Sequence, residues 1–184
     1  MNKLLVAGIA GFVGAACSLL YLYLWQTQID ITQTAYWSSV VIMAVSALAN
    51  IGYWYGLSVV GTMYRNSTLH YMALLALVLS IFTDASVAVF TLMPQYAASS
   101  VWGVFGLFMG TLYALACILG GLAMQKLRSH FGDVALWYGI FAMLSGVIVL
   151  GGDFGIPSIA TFDAVFNTIL YVLGGMILFR AAKK

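Results

Sequence analysis

Six long apolar runs, each followed by a short polar break, make up almost the whole chain. They cover about 4–25, 36–60, 70–93, 100–123, 134–151 and 163–180. Each is roughly 17–25 residues, the length an α-helix needs to cross the hydrocarbon core of a bilayer. The runs are too long and too uniformly apolar for the alternating strands of a membrane barrel. The pattern predicts an all-α, polytopic integral membrane protein: a six-transmembrane-helix bundle forming one domain over residues 1–184. The first run begins like a signal peptide, with Lys3 and a Gly14-Ala15-Ala16-Cys17 stretch similar to a lipoprotein cleavage site. Apolar residues continue through Leu19, Leu20 and Leu22 to Trp25, long enough to span, so a retained helix is expected.

The polar breaks carry the orientation. Lys3, Arg65, Lys126, Arg128, Arg180, Lys183 and Lys184 fall at the amino end, in every second connection and at the carboxyl end. The connections between them, around Asp30, Pro94 and Asp153, hold no Lys or Arg. Basic residues near span ends resist translocation, so both termini are expected in the cytoplasm of a cell that carries the chain in its plasma membrane. Tryptophan gives a second signal. Trp25, Trp37 and Trp102 fall at expected outer ends, and Trp54 and Trp137 toward inner ends, at or near the headgroup level that amphipathic rings prefer.

Composition narrows the class. Hydrophobic residues are 64% of the chain and charged residues 7%, against about 25% charged in a soluble domain. A water-facing surface cannot be built from so few charges, and the expected environment is the lipid bilayer. A net charge of +2 is too small to point to nucleic acid. Cys17 and Cys117 are expected at different depths, without a disulfide, and two Cys with two His form no metal-ligand spacing. No metal and no cofactor are expected. A transmembrane haem needs axial ligands within the helices, whereas His70 and His130 are read as face residues beside turns. Lys126 and Arg128 lie in a small basic cluster suited to anionic lipid headgroups. The Asn66-Ser67-Thr68 sequon falls on the expected cytoplasmic side, away from glycosylation.

Lipid supplies no hydrophobic drive between helices, so close backbone approach at small residues matters. Gly106 and Gly110 form a GxxxG in the fourth span, Gly11 and Ala15 lie on a stripe of the first, and Ala142 and Gly146 recur in the fifth. These stripes predict seams, with spans one and four in central contact, inside one chain or between chains. A short self-similarity, Gly56-Leu57 against Gly121-Leu122 before basic turns, hints at a relation between spans two–three and four–five.

One ionisable residue lies deep in an apolar run. Asp84 is roughly 21 Å from the inner end of its span and roughly 14 Å from the outer. A charged Asp at mid-bilayer costs about 2.5–3.5 kcal/mol on insertion scales. It can take up a proton, which removes the charge, or it can find donors in the bundle. Asn50, Thr111, Ser18 and Ser145 reach comparable depths on other helices, and no Lys, Arg or His does. The functional reading makes Asp84 a proton or cation site; the structural one makes it a hydrogen-bonding contact.

The chain has five Asp and no Glu, and it lacks a nucleophile elbow, an HExxH and a phosphate-binding glycine loop. An enzyme is hard to assemble from these parts. Two functions are expected instead. One is a non-catalytic membrane subunit that packs with other membrane subunits or with copies of itself. The other is a small proton- or cation-coupled transporter or channel component that uses Asp84.

Overall fold

The computed structural model describes residues 2–26, 33–92, 100–153 and 159–183. Among them are seven helices: α1 (Lys3–Gln26), α2 (Gln33–Met63), α3 (Ser67–Leu92), α4 (Ser100–Gln125), α5 (Arg128–Phe131), α6 (Asp133–Asp153) and α7 (Ile159–Ala182). Six are long and apolar enough to cross a membrane. The seventh, α5, is a single turn between α4 and α6 that the apolar pattern does not announce. Its carboxyl cap, Gly132, has φ of 68°, a left-handed backbone that glycine adopts without a Cβ penalty.

Each long helix packs on its neighbours in the chain, and α1 packing on α7 closes the circuit. α2 and α7 also touch across it. The closest approaches run through small residues. A Cβ at Gly11 would sit 2.9 Å from the Tyr171 carbonyl oxygen on α7, and one at Gly146 would sit 2.6 Å from the Ala114 carbonyl oxygen on α4. Gly121 and Gly139 face one another across the same α4–α6 seam.

These contacts differ from the expected pairing of spans one and four, which is not among the extensive helix contacts. α1 directs Gly8, Gly11 and Gly14 at α7, while Ala7 and Ala10 meet α2. The bulk of Phe105, Leu107 and Phe108 stays on the outside of α4, so the seam of α4 is made by Ala114 and Gly121 instead. Gly56 and Gly121, the supposed repeat pair, do different jobs: Gly56 lies against Ala7 and Leu178, and Gly121 against α6.

One end of the bundle is stitched by polar side chains. Asn2 Nδ2 donates to the Ala182 carbonyl at 2.8 Å, joining the start of α1 to the end of α7. Arg180 donates to the Phe131 carbonyl at 2.5 Å, joining α7 to α5. Asn66 Nδ2 donates to the Ala123 carbonyl at 2.7 Å, while its Oδ1 accepts from the Leu69 N–H and caps α3. The sequon asparagine is thus spent on the α2–α3 turn. The described basic residues, Lys3, Arg65, Lys126, Arg128, Arg180 and Lys183, gather at this end, and we call it the basic end.

Candidate functional site

α2 brings Asn50 and α3 brings Asp84 to the same level, and α7 adds Tyr171. Asn50 Nδ2 donates to Asp84 Oδ2 at 3.1 Å. The Tyr171 hydroxyl donates to Asn50 Oδ1. Three helices therefore converge through one amide on the ionisable group. The amide suits this position because it offers a donor to the carboxylate and an acceptor to the phenol at once. No salt bridge reaches Asp84 among the described residues; the ion pair recorded there joins Arg128 to Asp133 at 2.7 Å, on the exposed surface.

One turn toward the basic end, Tyr53 fills the centre. It is 0% exposed and donates to the Leu170 carbonyl at 2.9 Å. Its hydroxyl also lies 3.3 Å from that of Tyr138 on α6. Since the single Tyr53 proton goes to the carbonyl, Tyr138 is the donor of that second bond. Tyr53 meets Tyr171 edge-on at 4.8 Å and Trp54 at 5.1 Å, and Trp54 meets Tyr113 at 6.2 Å. Gly174 makes room for the phenol end, since a Cβ there would overlap it.

Trp54 departs from the expected headgroup position. It is 7% exposed, nine residues before the end of α2, or about 13 Å from it along the axis. Packing on aromatic neighbours places it in the core. Its Nε1–H is buried without an acceptor among the described residues. Trp137, at 52% exposed near the start of α6, stays on the surface. The side chains of Trp25, Trp37 and Trp102, and of Asp30, Asp153 and Asp163, lie outside the described residues.

The other sequence candidates have other surroundings or partners. Thr111 donates to the Leu107 carbonyl of its own helix at 2.9 Å, and Thr83 does the same to Leu79 at 3.0 Å. Ser18 is half-buried on α1. Ser145 is buried and bonds Asn167 across α6 and α7 at 3.4 Å. Gly11 and Ala15 are buried in the α1 packing face. Gly106 is exposed, with nothing among the described residues within 4 Å of a Cβ built on it, and Gly110 is half-buried. Lys126 is exposed at the basic end, and Arg128 there is already held by Asp133. Both cysteines are buried free thiols. No group of three or more His, Cys, Asp or Glu gathers among the described residues.

Sequence reasoning missed Tyr53, Trp54, Tyr138 and Tyr171. Their signal was chemical: each is an aromatic with a polar tip, and Tyr53 and Tyr171 stand well inside an apolar run, where a close-packed bundle calls for a partner. No protein-family model, no curated protein and no solved structure matches this chain.

Proposed function

We propose that this chain is a small multi-pass membrane protein of the plasma membrane, both termini cytoplasmic, that couples a proton or monovalent cation at Asp84. The supporting observation is the Asp84–Asn50–Tyr171 chain, in which α2, α3 and α7 meet at one ionisable side chain. A purely structural contact needs a donor and an acceptor, which two amides or two hydroxyls supply without the cost of about 2.5–3.5 kcal/mol that a charged Asp incurs at mid-bilayer. An Asp here gains something an Asn lacks: two charge states. Without a basic partner, the negative state calls for a proton or a small cation, and loading or unloading it shifts the hydrogen bonding of three helices together.

The test is Asp84→Asn in vesicles that carry a pH-reporting dye and an imposed sodium or potassium gradient. Wild-type protein is expected to exchange protons for one of the two ions above the protein-free rate, and the variant to fall to that rate. Exchange that survives the substitution would remove Asp84 from the function.

A second reading, a non-catalytic subunit bound to other membrane subunits or to its own copy, is favoured by α4. Gly103 and Gly106 both lie exposed with no described residue within 4 Å of a Cβ built on them, so this small-residue face is not used in packing among the described residues.

A further inference from the structure

The inward stripe of the helices changes character at the level of Asp84. In the half of the bundle that ends at the basic end, residues three and four apart are buried on every long helix. One turn beyond, the same stripes run on through positions that are not buried. Ser46 lies four residues before the buried Asn50 on α2, and Asp84 four after the buried Ser80 on α3. Val149 lies four after the buried Ser145 on α6, and Asn167 three before the buried Leu170 on α7. All four are half-buried. On α4, Gly106 lies eleven residues, about three turns, before the buried Cys117, and so on the same side of its helix. It is exposed, with nothing among the described residues within 4 Å of a Cβ built on it. In a close-packed core the facing helices would cover these positions, as they cover the rest of each stripe. Instead, no residue in 41–48, 81–85, 103–113, 147–151 or 165–169 is buried. The far half of the bundle, the one away from the basic end, stands open among the described residues.

The floor of this opening is aromatic and carries one acid. Tyr171, Tyr53, Trp54 and Tyr113 follow one another edge to face across α7, α2 and α4, with ring centres 4.8, 5.1 and 6.2 Å apart. Tyr53 and Trp54 are buried, and Tyr171 and Tyr113 at the two ends of the row are half-buried. Asn50 ties Tyr171 to Asp84 through Oδ2 of the carboxylate. The other oxygen, Oδ1, accepts no hydrogen bond among the described residues, and no described Lys, Arg or His pairs with it. A carboxylate with one oxygen unmet, half-buried at the floor of an opening, attracts a cation. Aromatic rings attract one too, through the negative charge of their faces. An organic cation, its charge carried on an apolar body, has less water to lose on such a floor than a small metal ion has.

We propose that the far half of the bundle is a water-filled vestibule for an organic monocation, an ammonium or phosphonium centre on an apolar body, which rests on the aromatic floor and meets Asp84 Oδ1. The proposal rests on the reading of Asp84 as a monovalent-cation site and names the kind of cation. The carboxylate supplies the opposite charge, and Tyr171 and Tyr113 replace part of the hydration shell. Val149 offers an apolar wall to the body of the ligand. Gly106 lies about 10 Å beyond Tyr113 along α4, in the wall above the bound cation and not against it. A proton on Asp84 removes the attraction, so the proton and the organic cation exclude one another at one carboxylate.

Single cysteines read the opening. Ser46→Cys, Gly106→Cys and Phe108→Cys are each placed in a chain carrying Cys17→Ala and Cys117→Ala, held in lipid nanodiscs so that both faces meet the reagent. The reagent is a trimethylammonium-ethyl methanethiosulfonate. A thiol reacts as its thiolate, which forms in water and not in lipid. Phe108 is exposed and lies across α4 from Gly106, so Phe108→Cys is the lipid-facing control. Ser46→Cys and Gly106→Cys are expected to react roughly tenfold faster than Phe108→Cys, or more. Tetraphenylphosphonium at about ten times the dissociation constant found by equilibrium dialysis leaves about a tenth of the sites empty, and should slow Ser46→Cys roughly tenfold. Tetraphenylborate, of the same shape and opposite charge, should give no protection. Adding Asp84→Asn should abolish protection by the phosphonium while Ser46→Cys stays reactive. Reaction at either site no faster than at Phe108→Cys overturns the vestibule, and leaves a partner helix or a second copy of the chain on that face. Protection that survives Asp84→Asn, or that tetraphenylborate gives equally, overturns the ligand class. Reactive thiols that the phosphonium does not protect, in a protein whose sodium or potassium exchange depends on Asp84, overturn this inference alone. Protection without any Asp84-dependent exchange supports the vestibule and overturns instead the exchange proposed for that residue.

Discussion

At the scale of single residues, the central tyrosine is the most demanding group in the bundle. Tyr53 is fully enclosed, and its hydroxyl serves both the Leu170 carbonyl and the Tyr138 hydroxyl. Tyr53→Phe keeps the ring and its edge contacts but strands the buried Tyr138 hydroxyl and removes a second bond to the Leu170 carbonyl, which keeps its helical N–H. Leaving a buried polar group unpaired costs about 1–3 kcal/mol. Tyr138→Phe removes only the longer, 3.3 Å bond, and Tyr53 keeps its own acceptor. Thermal unfolding in mild detergent should therefore rank Tyr53→Phe as clearly less stable than Tyr138→Phe. The reverse order would show that the hydroxyl pair does not hold this level together. Asp84 and Asn50 were legible in the sequence because a polar group stands out in an apolar run. Their partners were not, because Tyr and Trp count as apolar in such a run and reveal their polar tips only when three-dimensional neighbours are known. That Asn50 and Asp84 meet also required the register of α2 against α3, which a uniform apolar pattern leaves open.

At the scale of elements, the number and type of helices were readable because length and hydropathy alone decide them. Which stripe meets which was not. Small residues are a necessary condition for close approach, and this chain has more of them than it has seams. The pairing is decided by what stands beside each glycine. On α4, Gly106 is flanked by Phe105, Leu107 and Phe108, all exposed, whereas Ala114 and Gly121 lie on the inward face against Gly146 and Gly139. A methyl group at Gly146 would sit within 2.6 Å of a backbone carbonyl that cannot rotate away. Gly146→Val is thus expected to cost the 1–3 kcal/mol typical of overpacking, or about that, and to reduce the yield of folded protein. Gly106→Val, with open space around it, should leave the melting temperature of the isolated chain unchanged. The pair also divides the two functions. If α4 serves a partner, Gly106→Val breaks a complex seen by native mass spectrometry while proton exchange by the purified chain is untouched. An equal loss of stability from both substitutions would mean that the packing of α4 differs from the one described.

At the scale of the whole molecule, direction is the remaining quantity, and it comes from charge. The basic end is held together by Asn2, Asn66 and Arg180, each bonded to a carbonyl on another helix. It is also where His70 meets Ser58. Cationic side chains resist transfer across the membrane, so the threading we propose keeps this end in the compartment where the chain is made. Under that threading, a proton or cation that Asp84 took up from the basic end would be a cytoplasmic one. Ser129 lies exposed on α5 at this end. Placed as Ser129→Cys in a chain whose buried Cys17 and Cys117 are replaced by Ala, it should resist a membrane-impermeant maleimide on intact cells and react in inverted vesicles. Labelling on intact cells would reverse the threading. The basic end would then face outside, and the Asp84 chemistry we propose would run under the opposite driving force.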